Sequence, residues 1–172
     1  MARGRHTNAR TGWDMYTLTR ETIDDGPEVE ALYDTCFAPG REVLSSYRLR
    51  DGVPSVADLC HVARDDLGIL AGAIRFWPVL VGRREALLLG PVAVHPTRQG
   101  EGLGALLMRA GLGAAQVEGW SRVLLVGDAP YYKRFGFALL EGVRMPPPTN
   151  PARVLGRGDW DRIAGTVTRW GG

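Results

Sequence analysis

Along this chain, apolar positions recur every second residue through most of the first half and every third or fourth residue after position 100. Residues 15–20 alternate and include Tyr16 and Thr17, which predicts a first strand. Asp25-Gly26-Pro27-Glu28 predicts a helix start, with Asp25 as the cap and Glu28 completing a capping box. Val29, Leu32, Tyr33 and Cys36 follow at helical spacing. Pro39-Gly40 ends that helix, and a second short helix is predicted over 41–49, before Asp51-Gly52-Val53-Pro54. Strands are then expected over 59–64, 69–81 and 85–94, joined by turns at 65–68 and 82–84. Turns this short imply antiparallel neighbours.

Beyond residue 100, Leu103, Leu106, Leu107, Ala110, Ala114 and Val117 predict one face of a helix. Residues 123–126 are an unbroken apolar run, as in a strand buried on both faces. A short helix over 130–134 and a strand over 135–140 follow. Strand–helix–strand order predicts a parallel pair with a right-handed crossover. Residues 145–151 hold four prolines and predict irregular structure, and 163–170 predicts a last strand. The fold class is therefore α/β: one mixed sheet, antiparallel at its start and parallel at its centre, with helices on both faces. There is no internal repeat and no second domain boundary, so a single domain is expected over 14–172. Residues 1–13 carry Arg3, Arg5, His6 and Arg10 with almost nothing apolar. They predict a disordered leader without the apolar stretch of a signal peptide.

Composition narrows this further. The chain has 172 residues, 45% of them apolar, enough for a core without staples. A net charge of +2 argues against a nucleic-acid or membrane surface. Twenty of the 21 basic residues are Arg, and Lys133 is the exception. That bias reads as GC-rich, bacterial codon usage. Cys36 and Cys60 have no C-x-x-C partner or metal-ligand spacing, and read as free thiols in a reducing cytoplasm. No apolar run approaches the ~18 residues of a membrane span.

One segment carries chemistry. After the strand ending Pro91-Val92-Ala93-Val94-His95-Pro96 comes Thr97-Arg98-Gln99-Gly100-Glu101-Gly102-Leu103-Gly104, and then a helix. The first amides of a helix lack internal partners and, with the helix dipole, form an anion site. A pyrophosphate is the natural ligand. Gly100-x-Gly102-x-x-Ala105 also satisfies a dinucleotide fingerprint, but Val94 lies too far before Gly100 for that fold. No Gly-Lys-Ser/Thr follows, which excludes a nucleotide P-loop.

The same stretch resembles motif A of the GNAT superfamily of N-acetyltransferases, Gln/Arg-x-x-Gly-x-Gly/Ala, through Gln99, Gly102 and Gly104. Val92-Ala93-Val94-His95-Pro96 fills the apolar run that precedes this motif. Tyr131-Tyr132-Lys133-Arg134-Phe135-Gly136-Phe137 resembles the family's Tyr-x-x-x-Gly-Phe element, with Tyr132 at the Tyr position. The resemblance spans about 120 residues.

It implies an acyl-coenzyme A-dependent N-acyltransferase, with acetyl-CoA as cofactor and a small-molecule or peptide amine as acceptor, attacking directly. It places the pyrophosphate on the backbone of Gln99, Gly100, Glu101, Gly102, Leu103 and Gly104. The pantetheine arm would lie along Val92, Ala93 and Val94, with the Val92 amide facing the thioester oxygen. The family also implies a bulge just before Val92. Arg98 is the side-chain candidate for a cofactor phosphate. Tyr132 is the implied general acid, since a phenol and an alkyl thiol are closely matched. Glu101 departs from the basic residue common in relatives, and is expected to point away from the phosphates. The slot where many relatives carry a basic Glu is Leu88, so the base is open among His95, Asp128, Glu85 and water. Acceptor contacts are expected from 28–53 and from Phe76 and Trp77, and Arg75 could pair with an acidic acceptor. Rival readings are a different acyl group and a silent acyl-CoA sensor. A monomer or homodimer in the cytoplasm is expected.

Overall fold

The computed structural model describes residues 15–37, 41 and 45–171. The predicted leader lies outside them, as does most of 38–44. In chain order the elements are β1 (Thr17–Arg20), α1 (Gly26–Cys36), α2 (Ser45–Arg48), β2 (His61–Arg64), β3 (Leu70–Val81) and β4 (Arg84–Val94). Then come α3 (Leu103–Val117), β5 (Arg122–Val126), α4 (Ala129–Tyr132), β6 (Ala138–Leu139), β7 (Val143–Arg144), β8 (Val154–Gly158) and β9 (Gly165–Arg169).

The sheet runs β1-β2-β3-β4-β5-β8-β6, with β9 pairing the far end of β3. β1 to β4 are antiparallel, and β4 pairs with β5 in parallel through the α3 crossover. This is the mixed sheet that the alternation predicts. β3 sends Ile74 and Phe76 to α3 on one face and Ala73 to α1 on the other. Helices therefore cover both faces, and the middle strands are apolar on both sides.

Three local readings differ from the structure. First, α3 has the predicted span, but its buried residues are Leu103, Leu107, Met108, Gly111, Leu112 and Ala115, while Val117 is 86% exposed. The stripe is rotated because Gly111 faces the core. A Cβ there would come within 2.4 Å of the Phe76 ring, so glycine is the residue that lets helix and sheet touch. An apolar count passes over it. Second, Asp25 does not cap α1 with its side chain. It reaches back to the Thr22 amide at 2.8 Å, so the box closes the short turn Ile23–Asp25, and Glu28 turns to Arg64.

Third, β8 went unpredicted, and it lies between β5 and β6, so the strand around 138 is not a neighbour of β5. Its sequence, Val-Leu-Gly-Arg-Gly, has two glycines in five residues, a composition disfavoured in strands. Both answer to packing. A Cβ on Gly156 would meet Leu140 at 2.6 Å, and one on Gly158 would meet the Ser121 carbonyl at 2.3 Å. Gly158 also has φ +99, a backbone conformation that L side chains rarely adopt.

Gly158→Ala should therefore destabilise the domain by about 3 kcal/mol, combining strain with overpacking against backbone. Gly113→Ala, in α3 with open space around it, should instead stabilise by about 0.5–1 kcal/mol. Urea unfolding of both variants checks the sign of each change.

Candidate active site

The site begins at a flaw in β4. Its register with β3 slips between Ile74 and Phe76: Ile74 faces Val92, but Phe76 faces Leu89, so β4 carries an extra residue at Gly90-Pro91. Gly90 has φ +129, and Pro91 has no amide hydrogen to pair. Two side chains pin the distortion. Tyr33 donates to the Pro91 carbonyl at 3.1 Å, and the Trp77 indole donates to the Gly90 carbonyl at 2.9 Å. The break expected just before Val92 is present.

Beyond it β4 parts from β5. The two pair only at Leu87–Val123 and Leu88–Leu124, although β4 runs on to Val94 and β5 to Val126. The His95 amide donates to the Ala71 carbonyl at 2.8 Å. Hydrogen-bonded pairs alternate in an antiparallel ladder, so Ala93 bonds Ala73, while Val92 and Val94 turn their N–H and C=O groups away from β3. They face the gap that β5 has left. The Val94 carbonyl there meets Cys36 Sγ at 3.4 Å and Gln99 Nε2 at 3.5 Å.

Tyr132 stands in that gap. It lines a cleft with Leu88, Gly90, Pro91, Val92, Leu125 and Val126. Its ring rests on Gly127, where a Cβ would come within 2.4 Å, and edge-on to Phe137 and Tyr131. Burial pushes its phenol up to about 12. Tyr131 has a different place: its hydroxyl would lie 3.2 Å from a Cβ on Gly104, against the start of α3.

At the glycine turn, Gly100 and Gly102 have φ +84 and +81, and a Cβ on either would meet nothing within 4 Å. Glycine is needed there for conformation, since no neighbour crowds either position. Leu103 is buried in the core, so only its backbone belongs to the turn. Glu101 accepts a hydrogen bond from Tyr16 and is thereby tethered. Arg98 pairs with Asp65, which also holds the Leu67 and Ile69 amides at 2.9 Å. The Arg98 guanidinium thus braces the turn against the β2–β3 loop.

None of the three side chains considered as bases lines the cleft. His95 accepts from the Thr97 amide at 3.2 Å and lies by α1. Asp128 is exposed at the start of α4. Glu85 lies seven residues from Val92, about 23 Å at strand spacing. Leu88 does line the cleft, as an apolar side chain.

A larger cavity of about 510 Å³ adjoins the cleft and shares Arg41, Tyr47, Arg50 and Pro91 with it. Trp77, Arg75 and Glu30 also line this cavity, whereas Phe76 is fully buried under α3. Tyr47 and Arg50 were not singled out from the sequence. Arg50 is one arginine among twenty, and no local pattern marks it. Among the described residues no group of His, Cys, Asp and Glu could hold a metal ion, and no helix is long and apolar enough to cross a membrane.

The acetyltransferase (GNAT) domain family matches residues 57–139. The N-acetyltransferase YhbS of Escherichia coli K12 is 33% identical over 117 residues, 67% of this chain and 69% of the relative. This chain belongs to the GNAT superfamily of N-acetyltransferases. The crystal structure of E. coli YhbS in complex with CoA superposes with a TM-score of 0.77 at 28% identity, covering 90% of this chain and 89% of that one. A Brucella melitensis GNAT acetyltransferase in complex with acetyl-CoA gives 0.70 at 30% identity, covering 91% and 96%. In this GNAT domain the matched segment holds the bulge, the glycine turn and Tyr132 together.

The GNAT cleft depends on the pinned bulge. Tyr33→Phe leaves the Pro91 carbonyl without its donor and should cost about 1 kcal/mol. A shift of the urea midpoint at unchanged slope would register it.

Proposed function

We propose that this GNAT domain transfers an acetyl group from acetyl-CoA to a primary amine, and that the amine attacks directly. The observation that carries the reading is the gap between β4 and β5, which joins a free backbone edge, Tyr132 and an acceptor-sized cavity. Acetyl-CoA supplies an acyl group activated as a thioester. The residues present fit it. Val92 offers its backbone N–H and C=O, and Val94 its N–H, to a pantetheine arm, in the manner of an added strand. The amides of Gln99, Gly100, Glu101, Gly102, Leu103 and Gly104 fit a pyrophosphate at the head of α3. The Val92 amide is the donor for the carbonyl oxygen as charge gathers on it.

Tyr132 holds a proton at Oη and gives it to the leaving sulfur as the new C–N bond forms and the C–S bond breaks. Arg98, tied to Asp65, shapes the turn and adds positive potential near the phosphates. The Tyr16–Glu101 tether draws the Glu101 carboxylate aside. Ser46 lines the cleft, but among the described residues no histidine or carboxylate lines it to activate a hydroxyl. This favours direct attack over an acyl-enzyme. It also leaves the acceptor to arrive neutral or to lose its proton to water.

The deciding experiment is a broad panel of amines with acetyl-CoA, read by free-thiol release. At least one amine should release thiol well above hydrolysis; none doing so would end the transferase reading and leave a cofactor sensor. With the amine found, kcat/KM should climb with pH as the amine deprotonates. No descending limb from Tyr132 should appear up to pH ~9, because its phenol remains protonated there. Tyr132→Phe should lower kcat by about 10²–10⁴-fold and keep the acetyl-CoA thermal shift. Full rate in that variant would remove Tyr132 as the acid.

Gly102→Glu puts a side chain at a positive φ and an anion at the head of α3. It should abolish the acetyl-CoA thermal shift, and NAD should give none even in the parent protein. Unchanged acetyl-CoA affinity would mean that the pyrophosphate binds elsewhere.

A further inference from the structure

The cavity beside the cleft has an electrostatic imbalance. Most of its charges are matched. Arg75 is held by Glu21 and Glu30 at 2.6 Å, and Arg41 pairs with Asp34 and Glu30. Arg75, which the sequence offered for an acidic acceptor, is therefore already engaged. Arg50 is not. It is 9% exposed, and among the described residues no salt bridge or hydrogen bond of its side chain is present. Its Nε is fully buried without a partner, and so is the nearby Tyr47 hydroxyl.

The guanidinium lies 4.2 Å from the centre of the Tyr47 ring and 5.4 Å from that of Trp77. Aromatic faces attract a cation, yet they leave its in-plane N–H donors unfilled. Tyr47 Oη is close enough to favour the charge, yet by distance and angle neither it nor Arg50 Nε has a hydrogen-bond partner. Burial lowers the Arg50 guanidinium to about 10, as expected of a cation without a counterion. Asp51 lines the same cavity, on the exposed turn after Arg50, and makes no ion pair with it. A rigid fork of donors facing a cavity matches a carboxylate, which accepts two parallel hydrogen bonds.

We propose that Arg50 binds the carboxylate of the acceptor, and that the acceptor is a compact amino acid. Arg50 lines both the cavity and the Tyr132 cleft, and its Nη2 lies 3.7 Å from where a Gly90 Cβ would be. A carboxylate held there is adjacent to the bulge, so the amine that reaches the acyl group is only a few bonds away. The inference rests on the acetyltransferase reading given above.

The test compares free amino acids with their carboxamides as matched acceptors, by thiol release. In parallel, calorimetry measures binding of each to the protein with CoA. The amide's amine is the weaker base, so more of it is neutral and unaided chemistry favours the amide. Amino acids should nevertheless exceed their amides by tenfold or more in kcat/KM and in affinity. Arg50→Gln should erase that preference and keep the acetyl-CoA thermal shift, and Arg50→Lys should restore part of it. Amides or plain amines used as well as the acids would overturn the proposal, a result that needs no variant. So would a preference that survives Arg50→Gln. Amino acids that bind through Arg50 without turnover would uphold the carboxylate site and overturn the amino acid as acceptor. Neither binding nor turnover of amino acids would overturn the proposal whole, whereas the transferase reading falls only if no amine of the panel releases thiol.

Discussion

The extra residue in β4 at Gly90-Pro91 is the constraint on which the rest of this domain's chemistry depends. A regular β4 would keep pairing with β5 to its end, and the sheet would be closed at its centre. The bulge turns the strand, pairing with β5 stops at Leu88, and Val92 and Val94 are left facing the gap without a strand partner. A distortion of this kind leaves polar backbone atoms in a buried place, and they need partners. Tyr33 from α1 and Trp77 from β3 supply them. The same two residues then line the larger cavity. Making the bulge and building the acceptor wall are thus one event in packing, and α1 is placed by the cleft as much as by the core.

How much of this the sequence disclosed follows from where each signal resides. β3, β4, α1 and α3 were legible from apolar periodicity and β5 from an unbroken apolar run, and both signals are local. The glycine turn was legible because Gly100 and Gly102 take positive φ over a short stretch, and Tyr132 because it stands near Gly136 and Phe137. β8 was hidden because its two glycines serve contacts with Leu140 and Ser121, distant in the chain. The face of α3 was misjudged for a related reason: Gly111 is a core position by virtue of Phe76, 35 residues earlier. The cavity was the least legible part. Its lining from α1, Arg41, the 47–52 segment and β3 falls within the stretches expected to contact the acceptor, but no local pattern marked which of their side chains, Tyr47 and Arg50 among them, would meet there.

Charge pairing tells the same story at longer range. Arg41, Arg64, Arg75 and Arg98 each meet an acid, and each pair ties one element to another: α1 to residue 41, α1 to β2, β3 to the end of β1, and the glycine turn to the β2–β3 loop. Arginine suits these ties because its fork can engage two acceptors at once. Arg75 does so with Glu21 and Glu30. Against that regular pattern, a buried arginine flanked by aromatic rings and lacking an acid is an exception that costs stability. Such exceptions are tolerated where a ligand completes them.

The proton inventory of the cleft points in one direction. It holds a phenol that burial makes a weak acid, and among the described residues it holds no base. A donor of that kind does not protonate sulfur early, because the proton is better kept on Tyr132 until the C–S bond is largely broken. For the step before in the proposed reaction, loss of a proton from the amine, no histidine or carboxylate among the described residues lines the cleft to drive it. A carboxylate left uncompensated beside the amine favours the ammonium form. In the proposed complex the Arg50 cation would act the other way: by neutralising the carboxylate it would lower the amine's hold on its proton. On this view one residue both selects the acceptor and eases the proton loss for which the cleft has no base.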